Sequence, residues 1–142
     1  MSLKSKSDAL KGKCTMLIAG EYYELGYEFS ASYYRNTDSN GKPSGVTKMA
    51  QPFSLVILEP RSDGGKGDDN LLKLAIAKDP KGFKAEIEIP GPVEHSTTVK
   101  FTFEDCYIVS YSAAENQASM TMVAGKVTGK DFKEVQTWSN VK

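Results

Sequence analysis

The chemistry open to a chain is bounded first by its titratable and nucleophilic side chains, and here they are few. His95 is the only histidine, so any Ser/His/Asp or Cys/His arrangement would have to use it. Its setting, Glu94-His95-Ser96-Thr97 after Pro92, reads as a turn rather than as the positioned, oriented imidazole that base catalysis needs. Cys14, Cys106 and His95 make a minimal ligand set without Cys-x-x-Cys or His-x-x-x-His spacing, so no structural zinc and no metal cofactor is expected. Gly125-Lys-Val-Thr-Gly129-Lys130 superficially matches a phosphate-binding loop. It is one residue short, and Asp131 replaces the hydroxyl that would hold magnesium, so a strand followed by a turn is the better reading. Asp63, Asp68 and Asp69 lie among glycines but lack the alternating carboxylates and closing glutamate of a calcium loop. With no pair of groups placed to act as acid and base, the expectation is a protein that is not an enzyme and carries no cofactor.

Binding chemistry is constrained in a similar way. Lysine plus arginine number 18 and aspartate plus glutamate 18, so no net charge draws the chain to nucleic acid or to an acidic membrane surface. Seven tyrosines could form a stacking platform for sugars or bases. However, Tyr23, Tyr27 and Tyr33 share the phase of Leu25 and Phe29, which favours core packing.

The elements that would position these residues are mostly strands. Tyr23, Leu25, Tyr27, Phe29, Ala31 and Tyr33 alternate with Glu24, Gly26, Glu28, Ser30 and Ser32, the period of a strand with one buried face. Cys14–Ile18 precedes it and is expected to pair with it through a tight Ala19-Gly20-Glu21 turn. From Asn36 to Lys48 the residues are turn-forming and polar, which predicts a long loop. A strand over Phe53–Glu59 carries apolar residues on both faces, and Asp68 or Asp69 is placed to cap a helix with Leu71, Leu72, Ala75 and Ile76 on one face before Pro80.

Phe83, Ala85, Ile87 and Ile89 alternate with Lys84, Glu86 and Glu88 before Pro90-Gly91-Pro92. Val99, Phe101 and Phe103 form a further strand face that meets Asp105 and resumes at Tyr107, Val109 and Tyr111, so a bulge or corner is expected near Asp105. A last strand over Ser119–Thr128 puts Met120, Met122 and Ala124 on one face and Thr121, Val123 and Val127 on the other. Six or seven strands, polar turns and one helix, without βαβ alternation, predict an all-β fold, a compact antiparallel barrel or sandwich. The two cysteines fall in strands and read as reduced core residues. Residues 1–13 carry four lysines without the apolar run of a secretory signal, and no stretch is long and apolar enough for a membrane helix.

Phe101-Thr-Phe-Glu-Asp-Cys-Tyr-Ile-Val-Ser-Tyr-Ser112 resembles the signature of Bacteroidetes-type Hcp (TssD) proteins of the type VI secretion system, an F/I-x-F-E-D-A-Y-x-V-S-Y-S run. Asp38-Ser-Asn-Gly-Lys-Pro-Ser44 resembles the D-x-x-G-K-P-S of that family's extended loop, and Met120-Thr-Met122 its M-T-M strand entry. Cys106 stands where the family commonly has alanine, and the expected helix lacks the family's frequent tryptophan.

The resemblance implies an antiparallel two-sheet β-barrel with a single flanking α-helix over residues 14–129, with a polar N-terminal extension over 1–13 and a polar C-terminal tail over 130–142. It further implies a tube subunit in which about six copies close into rings that stack inside a contractile sheath. A spike protein and effectors carried in the lumen are the other implied partners. Such a subunit is cytoplasmic before assembly and is secreted through the apparatus without a signal peptide. The motif residues are then Phe103, Glu104, Asp105, Tyr107, Val109, Ser110 and Tyr111, and the expected inter-subunit contact loop is Asp38, Asn40, Gly41, Lys42, Pro43 and Ser44. The competing reading is a binding or adaptor module for an effector or carbohydrate on the same barrel, which exposed side chains at Tyr22, Tyr34 and Tyr111 would favour.

Overall fold

The structure, a computed structural model, describes residues 13–26, 32–61, 68–90, 98–130 and 132–139. His95, Asp63, Asp131, Tyr27, Phe29 and Ala31 lie outside the described residues. The described strands are β1 (Thr15–Ile18), β2 (Glu21–Gly26), β3 (Tyr33–Thr37), β4 (Pro43–Met49), β5 (Phe53–Leu58), β6 (Phe83–Ile89), β7 (Val99–Ala113), β8 (Gln117–Gly129) and β9 (Phe132–Val135). Among the described residues a helix, α1 (Asn70–Ile76), lies between β5 and β6.

The main sheet runs β5-β2-β1-β6-β7-β8-β9, and a further β5–β8 pairing closes the first six strands into an antiparallel barrel. The length of β8 makes closure possible. β7 lines one edge of β8 along its length; on the other edge Gln117–Met122 pairs with β5 and, farther along, Lys126–Gly129 pairs with β9. Closure leaves no open edge in the six-strand ring, which removes the usual hazard of a small sheet. Inside sit Met16, Ile18, Tyr23, Leu25, Ile57, Ile87, Phe103, Met120, Met122 and Val127, all buried. These come largely from the alternating positions read in the sequence. The β1–β2 turn is as short as expected, with Ala19 at φ 48° and Gly20 at φ 90°, the left-handed pair that a two-residue hairpin turn requires.

The expected bulge is present, with an effect that period-two reading misses. Phe83 pairs with Cys106 and Ala85 with Phe103, so Glu104 and Asp105 together oppose the single residue Lys84. Asp105 takes a left-handed φ of 56°. Its carboxylate lies where a side chain on Gly82 would collide, and a Cβ on Gly125 would approach Asp105 Oδ2 to 2.8 Å. The bulge exchanges the faces of β7. Cys106 is buried and Ile108 packs on the core, whereas Val109 is 54% exposed and Tyr107 turns outward onto Trp138 at 5.9 Å. The expectation that Tyr107 and Val109 continue the Phe101–Phe103 face is therefore corrected. Val127 is corrected with it: paired with Phe103, it joins the same core as Met122 and Ala124.

The helix is capped as its sequence suggests, with the Asp69 side chain accepting from the Leu72 N–H at 3.0 Å. It ends at Ile76, short of Pro80, and its inward face differs from the expected one. Leu71 is buried and Leu74 packs on the core, while Leu72 and Ile76 point to solvent. With barely two turns, the helix is oriented by its first residues, and the i, i+3 pair Leu71/Leu74 faces the barrel. Asn70 donates to both Glu21 oxygens at 3.3 Å, and the Tyr111 hydroxyl donates to Asp69 Oδ2 at 2.6 Å.

Cys14 and Cys106 are both outside any disulfide. Cys106 is buried and Cys14 only partly so, which narrows the expectation of two core thiols. Burial, with the neighbouring Asp105 and Glu104 carboxylates, pushes the Cys106 thiol up to about 12. A thiolate-selective reagent at pH 8 should therefore modify at most Cys14 in the folded protein and both cysteines in denaturant. Rapid native-state labelling at Cys106 would contradict this placement.

Candidate assembly surfaces

The segment expected as a long loop is a β-hairpin. β3 and β4 pair only with each other in the described structure and form a separate two-stranded sheet. Its turn is built by one side chain. Asp38 Oδ1 accepts from the N–H of Asn40 at 2.9 Å and of Lys42 at 3.0 Å, and Gly41 provides a φ of 81°. Backbone bonds between Asp38 and Lys42 and from Gly41 to Asp38 close it. Pro43 opens β4 opposite Thr37, where a missing N–H can be tolerated, and the Ser44 hydroxyl reaches the Asn36 carbonyl at 3.5 Å.

Asp38, Asn40, Gly41, Lys42, Pro43 and Ser44 are thus brought together as one exposed tip and its first rungs. Between Tyr34 and Asn36 the register slips, and Arg35 bridges the irregularity by donating to Thr47 Oγ1 at 2.6 Å. Every residue of β3 is exposed, as are the first four of β4. Tyr33 at 45%, Tyr34 at 49% and Val46 at 69% are large apolar groups with water on them. An arm exposed on both faces has no hydrophobic alternation, which is why composition indicated a loop. Tyr33, expected in the barrel core, belongs to this arm, its ring 5.1 Å from Phe132 of β9 and 6.3 Å from Phe101 of β7.

The residues of the β7 motif serve mainly the barrel. Phe103 is buried between Phe53 at 5.1 Å and Phe101 at 6.3 Å. Glu104 faces out, with Lys126 at 3.4 Å across the pair. The Tyr107 hydroxyl donates to Asp105 Oδ1 at 3.1 Å, and that bond, with a smaller effect of desolvation, raises its pKa. Ser110 is exposed beside the second irregularity of β7. Tyr111 is half-buried over the helix N-terminus, and burial first, then the bond to Asp69, raises its pKa. Tyr22 is likewise half-buried, so of the three tyrosines whose exposure would favour a binding platform only Tyr34 is open. Outside, Lys100 lies 3.6 Å from Glu86 and 3.8 Å from Glu88, making a charged outer strip on β6 and β7.

Gly125–Gly129 is the end of β8, as a strand reading requires, and Asp69 is a helix cap. Among the described residues, no group of three or more His, Cys, Asp or Glu side chains could hold a metal ion, and no helix is long and apolar enough to cross a membrane. β9 leaves no periodic signal, and it occupies a stretch read only as polar tail. Its four residues, Phe-Lys-Glu-Val, are too few for a period to show, and the glutamate is the buried one.

No protein-family model and no curated protein sequence matches the chain. Solved structures do. Hcp1 from Flavobacterium johnsoniae superposes with a TM-score of 0.62 at 16% identity, over 87% of this chain and 99% of that one. A structure of the Hcp1 protein from the E. coli EAEC 042 pathovar superposes with a TM-score of 0.57 at 14% identity, over 89% and 99%. The closed six-strand antiparallel barrel, with one helix among the described residues, is therefore an Hcp-like fold.

Proposed function

We propose that this chain is a structural, non-enzymatic subunit of a type VI secretion tube, in which about six copies close into a ring and rings stack. The observation that carries the reading is the β3–β4 arm: a hairpin outside a barrel already closed, exposed on both faces, with Tyr33, Tyr34 and Val46 in water. Its strands contribute little to the barrel core and, among the described residues, pair with no other strand, so its apolar groups and outer edges are open to a partner. The Hcp-like fold supports a neighbouring copy as that partner. Residues 14–129 then form the ring-building domain, with Asp38–Ser44 at the contact between neighbours. The contractile sheath, the spike protein and effectors carried in the lumen are the further partners, and the subunit is cytoplasmic until it leaves through the apparatus. A sugar- or effector-binding module is less well supported, because the Tyr111 hydroxyl is already taken by Asp69 and only Tyr34 of the three indicator tyrosines is open. Negative-stain imaging of the purified protein should show closed rings, singly or in stacks. Fields of particles with the size of one barrel would refute the proposal.

A further inference from the structure

The arm has almost no core of its own, so its direction depends on its base, and the base is held from an unexpected quarter. Met49, the last residue of β4, is buried. The next amide, Ala50 N–H, donates to Ser32 O at 2.7 Å and so points across the hairpin. Successive amides of a strand point to opposite edges, which turns the Met49 N–H away from β3. There it meets Glu134 of β9, whose Oε2 accepts it at 3.2 Å across 85 positions of sequence. Glu134 is only 7% exposed, and its Oε1 accepts from Gln136 Nε2 at 3.2 Å. Gln136 is in turn fixed by its own N–H, which donates to Gly125 O at 2.7 Å. Two residues earlier on the same face of β9, Phe132 receives the Tyr33 ring edge-on at 5.1 Å and 74°.

A carboxyl group in so dry a place is costly unless both oxygens are satisfied, and both are, by donors from the arm and from the C-terminal segment. We propose that β9 is a clamp for the arm: Glu134 holds the backbone of Met49 and Phe132 holds Tyr33, so the C-terminal segment sets the direction in which the β3–β4 hairpin leaves the barrel. Glu134 is then a positioning residue for assembly. That consequence rests on the ring reading above; the clamp itself does not.

The test separates the two. Amide exchange on dilute, unassembled protein should show Met49 and the adjoining β4 amides exchanging at least about tenfold faster in Glu134→Ala, the size expected for losing one buried bond to a carboxylate. The Leu55, Ile57 and Met122 amides of the barrel should keep their rates. Glu134→Gln should restore protection, because its amide oxygen can face Met49 while Gln136 rotates its own amide to present an acceptor. Unchanged exchange at Met49 in Glu134→Ala overturns the clamp. So does equal acceleration of arm and barrel amides in both variants, which would make Glu134 a general stability residue. Sedimentation of the same variants reads the consequence. Rings in the wild type and in Glu134→Gln but fewer in Glu134→Ala support a positioning role in assembly, and equal ring populations in all three overturn that role. If the wild type forms no rings, the ring reading fails and the exchange result still decides the clamp.

Discussion

Deleting Ser39–Gly45 should leave a folded barrel that no longer assembles into rings. The segment holds the Asp38-supported tip and the outer rungs of an arm that is exposed except at its base and, among the described residues, pairs with no barrel strand. Its removal should change unfolding free energy by no more than about 1 kcal/mol, as expected for a surface change that leaves the core intact. Ring formation should fall at least about tenfold, because contacts at the centre of an interface carry most of its energy. Denaturant unfolding and sedimentation velocity on the same preparation read the two effects. A deletion variant that sediments as the wild type does would remove the arm from the interface.

The second large effect belongs to the barrel. Phe103→Ala should cost about 3–5 kcal/mol, the range for truncating a buried phenylalanine, and a large part of the roughly 5–15 kcal/mol that holds a domain of this size together. Phe103 has no exposed surface and stacks on Phe53 at 5.1 Å and 30°. The paired control is Val109→Ala, six residues on in the same motif. Val109 is 54% exposed, and its truncation should stay within about 0.5 kcal/mol. Equal losses for the two would contradict the exchange of faces at Asp105.

That exchange shows how far the sequence could be read. Strands with one wet face, such as Phe83–Ile89, announce themselves, because alternation is the direct image of burial. The position of the β7 corner was also visible, since a charged aspartate interrupts an apolar phase. Its outcome was not, because a left-handed residue and two glycine-lined gaps are properties of three distant chain segments, Gly82, Asp105 and Gly125, meeting in space. The helix showed its cap but not its face, which two bonds to the barrel, Asn70 to Glu21 and Tyr111 to Asp69, decide.

The candidate site was read in the opposite sense. Asp38–Ser44 stood out by composition and by resemblance, yet the arm looked like loop, because a hairpin wet on both sides leaves no period to find. β9 was hidden for a related reason. Its buried residue, Glu134, is of a type that nearly always faces water, and only the Met49 amide and Gln136 explain why it does not.

Sedimentation velocity of the full chain at high concentration tests the central claim most directly. The account predicts a discrete closed species of about six copies, with larger stacks growing from it as concentration rises. A single species with the mass of one chain at every concentration would contradict it.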